Sequence, residues 1–123
     1  MAHRTYHPDR GDLVHLNFAP SAGHELTGRH YALVLSPLSY NRRSGMALVC
    51  GITSRVHGWA FEVLLPGGLL PDKAGVGTVS SVVLADAIRQ IDYREREIAL
   101  VARAPKAIVT EVMDKLLALL EAE

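Results

Sequence analysis

The apolar pattern of this chain changes period once, at Pro105, and that change limits the architectures open to it. Ahead of Pro105 the apolar residues come in short runs, each stopped by a polar or Gly/Pro-containing stretch. Behind it Ile108, Val109, Val112, Met113, Leu116, Leu117, Leu119 and Leu120 recur at the spacing of one helix face. Residues 13–18 alternate, with Val14, Leu16 and Phe18 on one side, and read as a half-buried strand. The stretch 19–23, with Pro20 and Gly23, stops it, and a polar segment runs to His30. Residues 31–36 read as a fully buried strand closed by Pro37, and 41–45 as a turn. Residues 46–53 and 59–65 follow as strands, the second stopped by Pro66-Gly67-Gly68. A loop is expected over 69–77. Two further strands, 78–84 and 87–92, are expected on either side of Asp86. Residues 98–101 read as one more strand or as an extension of the helical region, and Pro105 occupies the place of a first helical residue. Many short strands and one terminal helix suit a mainly β (α+β) fold: a small closed barrel or a sandwich with the helix over one open side.

The 123 residues fit one domain, 1–123, and with 49% apolar residues a core is feasible without staples. Cys50 is the only cysteine, so no intrachain disulfide forms and a reducing compartment is the natural home. Within the apolar run 47–50 it reads as a small core hydrophobe, not a nucleophile. The N-terminus lacks an apolar stretch, so no signal peptide is expected, and no apolar run is long enough to span a bilayer. A cytoplasmic protein with no membrane partner follows. Net charge is zero, 13 basic against 13 acidic residues, but residues 1–60 hold six arginines, three acids and all six histidines. A polarised fold could turn a locally basic face toward phosphate; arginines that merely solvate loops are the plainer reading.

Several segments, taken in order, resemble the MazF/PemK toxins of bacterial toxin–antitoxin pairs. Residues 10–20 are similar to that family's opening, a Gly-Asp followed by a strand ending in Phe-x-Pro. Gly23-His24-Glu25-Leu26-Thr27-Gly28 resembles its Gly-x-Glu-x-x-Gly loop. Residues 32–37, Tyr40-Asn41, Gly45-Met46, Ile52-Thr53-Ser54, 58–63, Val83-Leu84-Ala85-Asp86 and 91–94 resemble the pieces that follow, so the match runs from about residue 9 to 97. The resemblance implies an SH3-like barrel of MazF/PemK type with a C-terminal helix, and a homodimer. It implies a metal-independent, sequence-selective endoribonuclease acting on single-stranded RNA without a cofactor, held by a cognate MazE-like antitoxin. Operator DNA would be a partner only of the toxin–antitoxin complex.

Cutting RNA without metal uses the neighbouring 2′-OH as nucleophile and leaves a 2′,3′-cyclic phosphate. It needs a base at that hydroxyl, an acid at the leaving oxygen and donors for the charged phosphorane. By resemblance Thr53 matches the family's catalytic threonine and Glu25 its loop acid. The family's Gly-x-Arg-Pro-Ala stands here as Gly28-Arg29-His30-Tyr31-Ala32, so an ungapped match puts His30 at the arginine position. Arg29 and His30 face opposite sides of an extended segment. Arg29 reaching the site, His30 serving itself as acid or base, and a weakened nuclease remain open, with both residues expected near the site. Phe18 is a candidate for stacking a base or for core packing with Val14 and Leu16. Ser36, Asn41, Ser54 and Asp86 are candidate RNA contacts, and the serines and Asn41 equally suit turn chemistry. Ala87 stands where the family usually has glutamine, and Gly51 where it has proline. The competing function is a catalytically weakened module that binds RNA or antitoxin on the same fold. A barrel serving only in assembly is a third reading, since fold does not fix function.

Overall fold

The computed structural model describes residues 5–71 and 81–123. Among the described residues six strands and two helices follow one another: β1 (Asp12–Asn17), β2 (Arg29–Val34), α1 (Leu38–Ser44), β3 (Met46–Thr53), β4 (Glu62–Leu65), β5 (Ser81–Asp92), β6 (Ala99–Arg103) and α2 (Lys106–Glu121). The strands form one sheet in the order β4-β5-β3-β2-β1-β6, every neighbouring pair antiparallel. The sheet curls into a partial barrel of the expected kind, mainly β with a C-terminal helix.

Curling gives the sheet two apolar faces. Leu13, Leu33, Cys50, Ile52, Val63 and Val83 form one core with Val109, Val112 and Leu116 of α2. Val14, Leu16, Phe18, Ala32, Val34, Val49, Ile91 and Tyr93 form the other. β1 is therefore more than half-buried: Leu13 and Val14 both exclude solvent completely, on opposite sides. Each fully buried aliphatic side chain contributes about 1.5–3 kcal/mol by leaving water.

Several segment boundaries differ from the sequence reading. Residues 38–44 are helical rather than a turn at 41–45. Pro37 precedes the first helical turn, and Gly45, at φ +72°, ends the helix by donating its N–H to the Asn41 carbonyl. Residues 59–61 do not join β4, because the Trp59 carbonyl accepts the Glu62 N–H in a turn. The segments around Asp86 are one strand, not two: β5 runs unbroken through it, and an irregularity opposite Cys50–Ile52 takes up the mismatch with β3. Residues 78–80 and 72–77 of the expected strand and loop lie outside the described residues. The alternative at residues 98–101 resolves as strand, since β6 pairs with β1. Pro105 is the residue before α2, with extended ψ of 143°, and Lys106 is the first helical one.

Cys50 is fully buried, its Sγ 3.8 Å from the Ala85 carbonyl oxygen. Burial pushes its thiol up to about 12, and the Asp86 charge adds to the rise. The folded protein at pH 8 is expected to resist iodoacetamide, and to take up one equivalent, by mass, once unfolded in guanidinium.

Candidate active site

The end of β1, the start of β2 and the end of β3 meet at one corner of the sheet. Leu16 pairs with His30 and Asn17 with Arg29, while Ala32 pairs with Gly51. The β2–β3 pairing ends at Ala32 and Gly51, and His30 and Thr53 each lie two residues beyond that last pair. Alternation puts His30 with Ala32 and Val34, and Thr53 with Gly51 and Val49, so both side chains project from the Phe18 face. The His30 and Phe18 rings meet edge to face at 6.2 Å.

His30 Nε2 lies 2.8 Å from the Thr27 carbonyl oxygen. A carbonyl only accepts, so Nε2 carries the proton and Nδ1 keeps its lone pair in the neutral ring. Thr53 Oγ1 accepts the Arg55 N–H at 3.2 Å, which pins the hydroxyl and leaves its own proton to donate. Arg29 leans to the other side of the strand, where its guanidinium pairs with Glu97 at 2.5 Å; both side chains are more than half exposed. Glu25 is exposed in the loop between β1 and β2. Its carboxylate accepts the Ala22 N–H at 3.0 Å, closing a small turn.

That loop is bolted down by two cations the sequence reading did not single out. Arg89 of β5 donates to the Phe18 carbonyl at 2.7 Å, the Ser21 hydroxyl at 3.2 Å and the Pro20 carbonyl at 3.1 Å. Its guanidinium also sits over the Phe18 ring, 5.8 Å from the centroid. Arg96 donates to the Ala19 carbonyl. From the loop, Leu26 packs onto Gly51, where an added Cβ would lie 2.5 Å from Leu26 Cδ2. The Leu26 side chain thus occupies the space over the Gly51 α-carbon, and a larger residue there would make it shift. The visible sequence signal for Arg89 was a cation inside an alternating strand.

Three of the candidate RNA contacts lie in the interior, where their other reading places them. Phe18 is 2% exposed and belongs to the second core with Val14 and Leu16. Ser36 and Asn41 are buried together: the Ser36 hydroxyl donates to Asn41 Oδ1, and Asn41 Nδ2 donates to the carbonyls of Pro8 and Ser36. Ser54 and Asp86 are exposed; Ser54 adjoins Thr53, whereas Asp86 stands on β5. Among the described residues no group of three or more His, Cys, Asp or Glu side chains is gathered as a metal site, and no helix is long and apolar enough to cross a membrane.

Comparisons with known proteins agree with this architecture. The model of a family described as PemK-like, MazF-like toxin of type II toxin–antitoxin system matches residues 9–120. The chain is 40% identical over 91 residues to the endoribonuclease toxin MazF of Escherichia coli (strain K12), covering 74% of each chain. The crystal structure of MazF from Deinococcus radiodurans superposes with a TM-score of 0.84 at 47% identity, over 96% of this chain and all of that one. A MazE–MazF crystal structure from the same organism gives 0.77 at 43% identity, over 97% of this chain and all of that one.

Proposed function

This chain belongs to the PemK-like, MazF-like toxins of type II toxin–antitoxin systems, and from that premise we propose that it is a metal-independent endoribonuclease whose cutting pair is His30 and Thr53. The observation that carries the reading is their shared face at adjoining strand ends, with a free imidazole lone pair on one and a pinned hydroxyl on the other. His30 Nδ1 takes the proton of the 2′-OH as that oxygen attacks the adjacent phosphorus. The Thr53 hydroxyl donates to a non-bridging oxygen as charge builds there. The P–O5′ bond breaks, leaving a 2′,3′-cyclic phosphate and, after proton uptake, a 5′-hydroxyl. Arg29 stands at the rim, where its charge attracts the RNA backbone. Glu25 shapes the loop beside it.

The chain acts as a homodimer in this proposal, with a MazE-like antitoxin as its partner. RNA and antitoxin compete for overlapping grooves, so each should weaken binding of the other. Histidine at the position where the family pattern has arginine favours one second reading, a weakened nuclease that chiefly binds. Incubation with a long unstructured RNA in EDTA, followed by mapping of cuts and end groups, separates the two. Discrete cuts ending in cyclic phosphate are expected. Bound but intact RNA at every salt concentration would leave only the binding module.

A further inference from the structure

The segment joining β3 to β4 holds a feature outside the cutting pair. Trp59, the only tryptophan of the chain, is 64% exposed. Its indole stacks on the His57 imidazole, with centroids 4.5 Å apart and planes within 15°. An exposed indole ordinarily costs solvation and turns inward; this one is presented by a built support. The buried Glu62 carboxylate accepts the His57 N–H at 3.1 and 3.2 Å and the Gly58 N–H at 2.8 Å. Gly58 adopts φ +77°, which a side chain would oppose, and the Glu62 N–H closes the turn on the Trp59 carbonyl at 3.0 Å. From below, Lys115 of α2 donates to the Glu62 carbonyl at 2.9 Å. His57 covers one indole face and the exposure leaves the other to solvent.

The position is as telling as the support. Thr53 pairs with Val82, and Glu62 with Leu84, on opposite edges of β5. The base of the indole turn therefore stands two strand spacings across and two residues along from Thr53, about 12 Å, with His30 one strand further on β2. Ser54 and Arg55 lie between them in the chain, exposed. We propose that the His57–Trp59 stack is a base-binding platform: it takes the flat face of one unpaired base of a single-stranded RNA whose backbone passes Thr53, with Arg55 beside the phosphate. The inference rests on the ribonuclease reading and deepens it by assigning a base subsite. An indole face accepts any base, so the platform holds the strand and adds grip without reading sequence.

Because Trp59 is the only tryptophan, its fluorescence reports the platform alone. The probe is a labelled single-stranded 2′-O-methyl oligonucleotide, in which the blocked 2′ oxygen prevents cleavage. Saturable quenching of Trp59 in parallel with the rise in probe anisotropy is expected. Trp59→Leu should raise the Kd about tenfold, the effect of losing one stacked base, and leave the thermal midpoint in place, while Trp59→Phe keeps most of the affinity. Binding seen by anisotropy without quenching, an unchanged Kd in Trp59→Leu, no binding of the probe, or quenching by an acidic apolar peptide but not by the oligonucleotide would each overturn the platform. The two readings fail separately: quenching without cleavage of natural RNA sinks the nuclease and keeps the platform, and cleavage without quenching does the reverse.

Discussion

Replacing His30 by alanine is expected to slow RNA cleavage about 10²–10⁴-fold at saturating RNA, the range by which a positioned general base accelerates proton transfer. The loss should fall on the cutting step more than on affinity. Thr53→Ala removes the hydroxyl donor to the phosphorane and should cost a comparable factor, about 10²–10³-fold. In the proposed mechanism the pair acts on one transition state, so the double variant should lose much less than the product of the two factors. Arg29→Ala gives the contrast. Its guanidinium is spent on Glu97 in a solvent-exposed pair, which contributes about 0–1 kcal/mol to stability, and its loss should weaken RNA binding at low salt more than it slows cutting. Single-turnover rates of the three variants beside the parent decide the matter. A His30→Ala rate within a few-fold of the parent, beside an Arg29→Ala variant that no longer cuts, would remove the base role from His30 and make Arg29 the essential donor to the phosphorane.

Asn41→Ala is expected to destabilise the fold by about 3 kcal/mol, read from urea unfolding by far-ultraviolet circular dichroism. Asn41 is fully buried in α1. Its Nδ2 donates to the Pro8 carbonyl at 2.7 Å and the Ser36 carbonyl at 3.0 Å, and its Oδ1 takes the Ser36 hydroxyl at 2.5 Å. The Ser36 oxygen in turn accepts the Leu48 N–H of β3 at 2.8 Å, and the Asn41 carbonyl accepts the buried Tyr93 hydroxyl at 3.1 Å. One amide thereby ties the N-terminal segment, α1 and β3 together. Alanine would strand two interior carbonyls and a hydroxyl without water, and each such group costs about 1–3 kcal/mol. Asn41→Asp should be no better, since a carboxylate cannot donate to either carbonyl. A loss below 1 kcal/mol would mean that water enters and takes over the amide's bonds.

The sequence by itself determined the elements whose cause is local. Alternation in residues 13–18 and the switch of period at Pro105 mark β1 and α2, because a strand or helix with one apolar face writes its period into the chain. The ordered motifs carried the family and the sheet type, and they placed Thr53 and His30 among the candidates. Tertiary structure decided what depends on the far partner. Whether Asn41 faces a base or a carbonyl rests on Pro8 and Ser36 packed against it, and no pattern around Asn41 announces them. Phe18 fits a stacking role or a core role equally as a sequence symbol; burial among Val14, Leu16 and Ile91 chose the core. His30 and Arg29 differ by one position, yet strand pleating sends one to the Phe18 ring and the other to Glu97. Arg89 became visible only when folding set its guanidinium over Phe18 and the carbonyls of the neighbouring loop. Local periodicity is a property of adjacent residues, whereas a polar side chain takes its role from partners that only the closed sheet supplies.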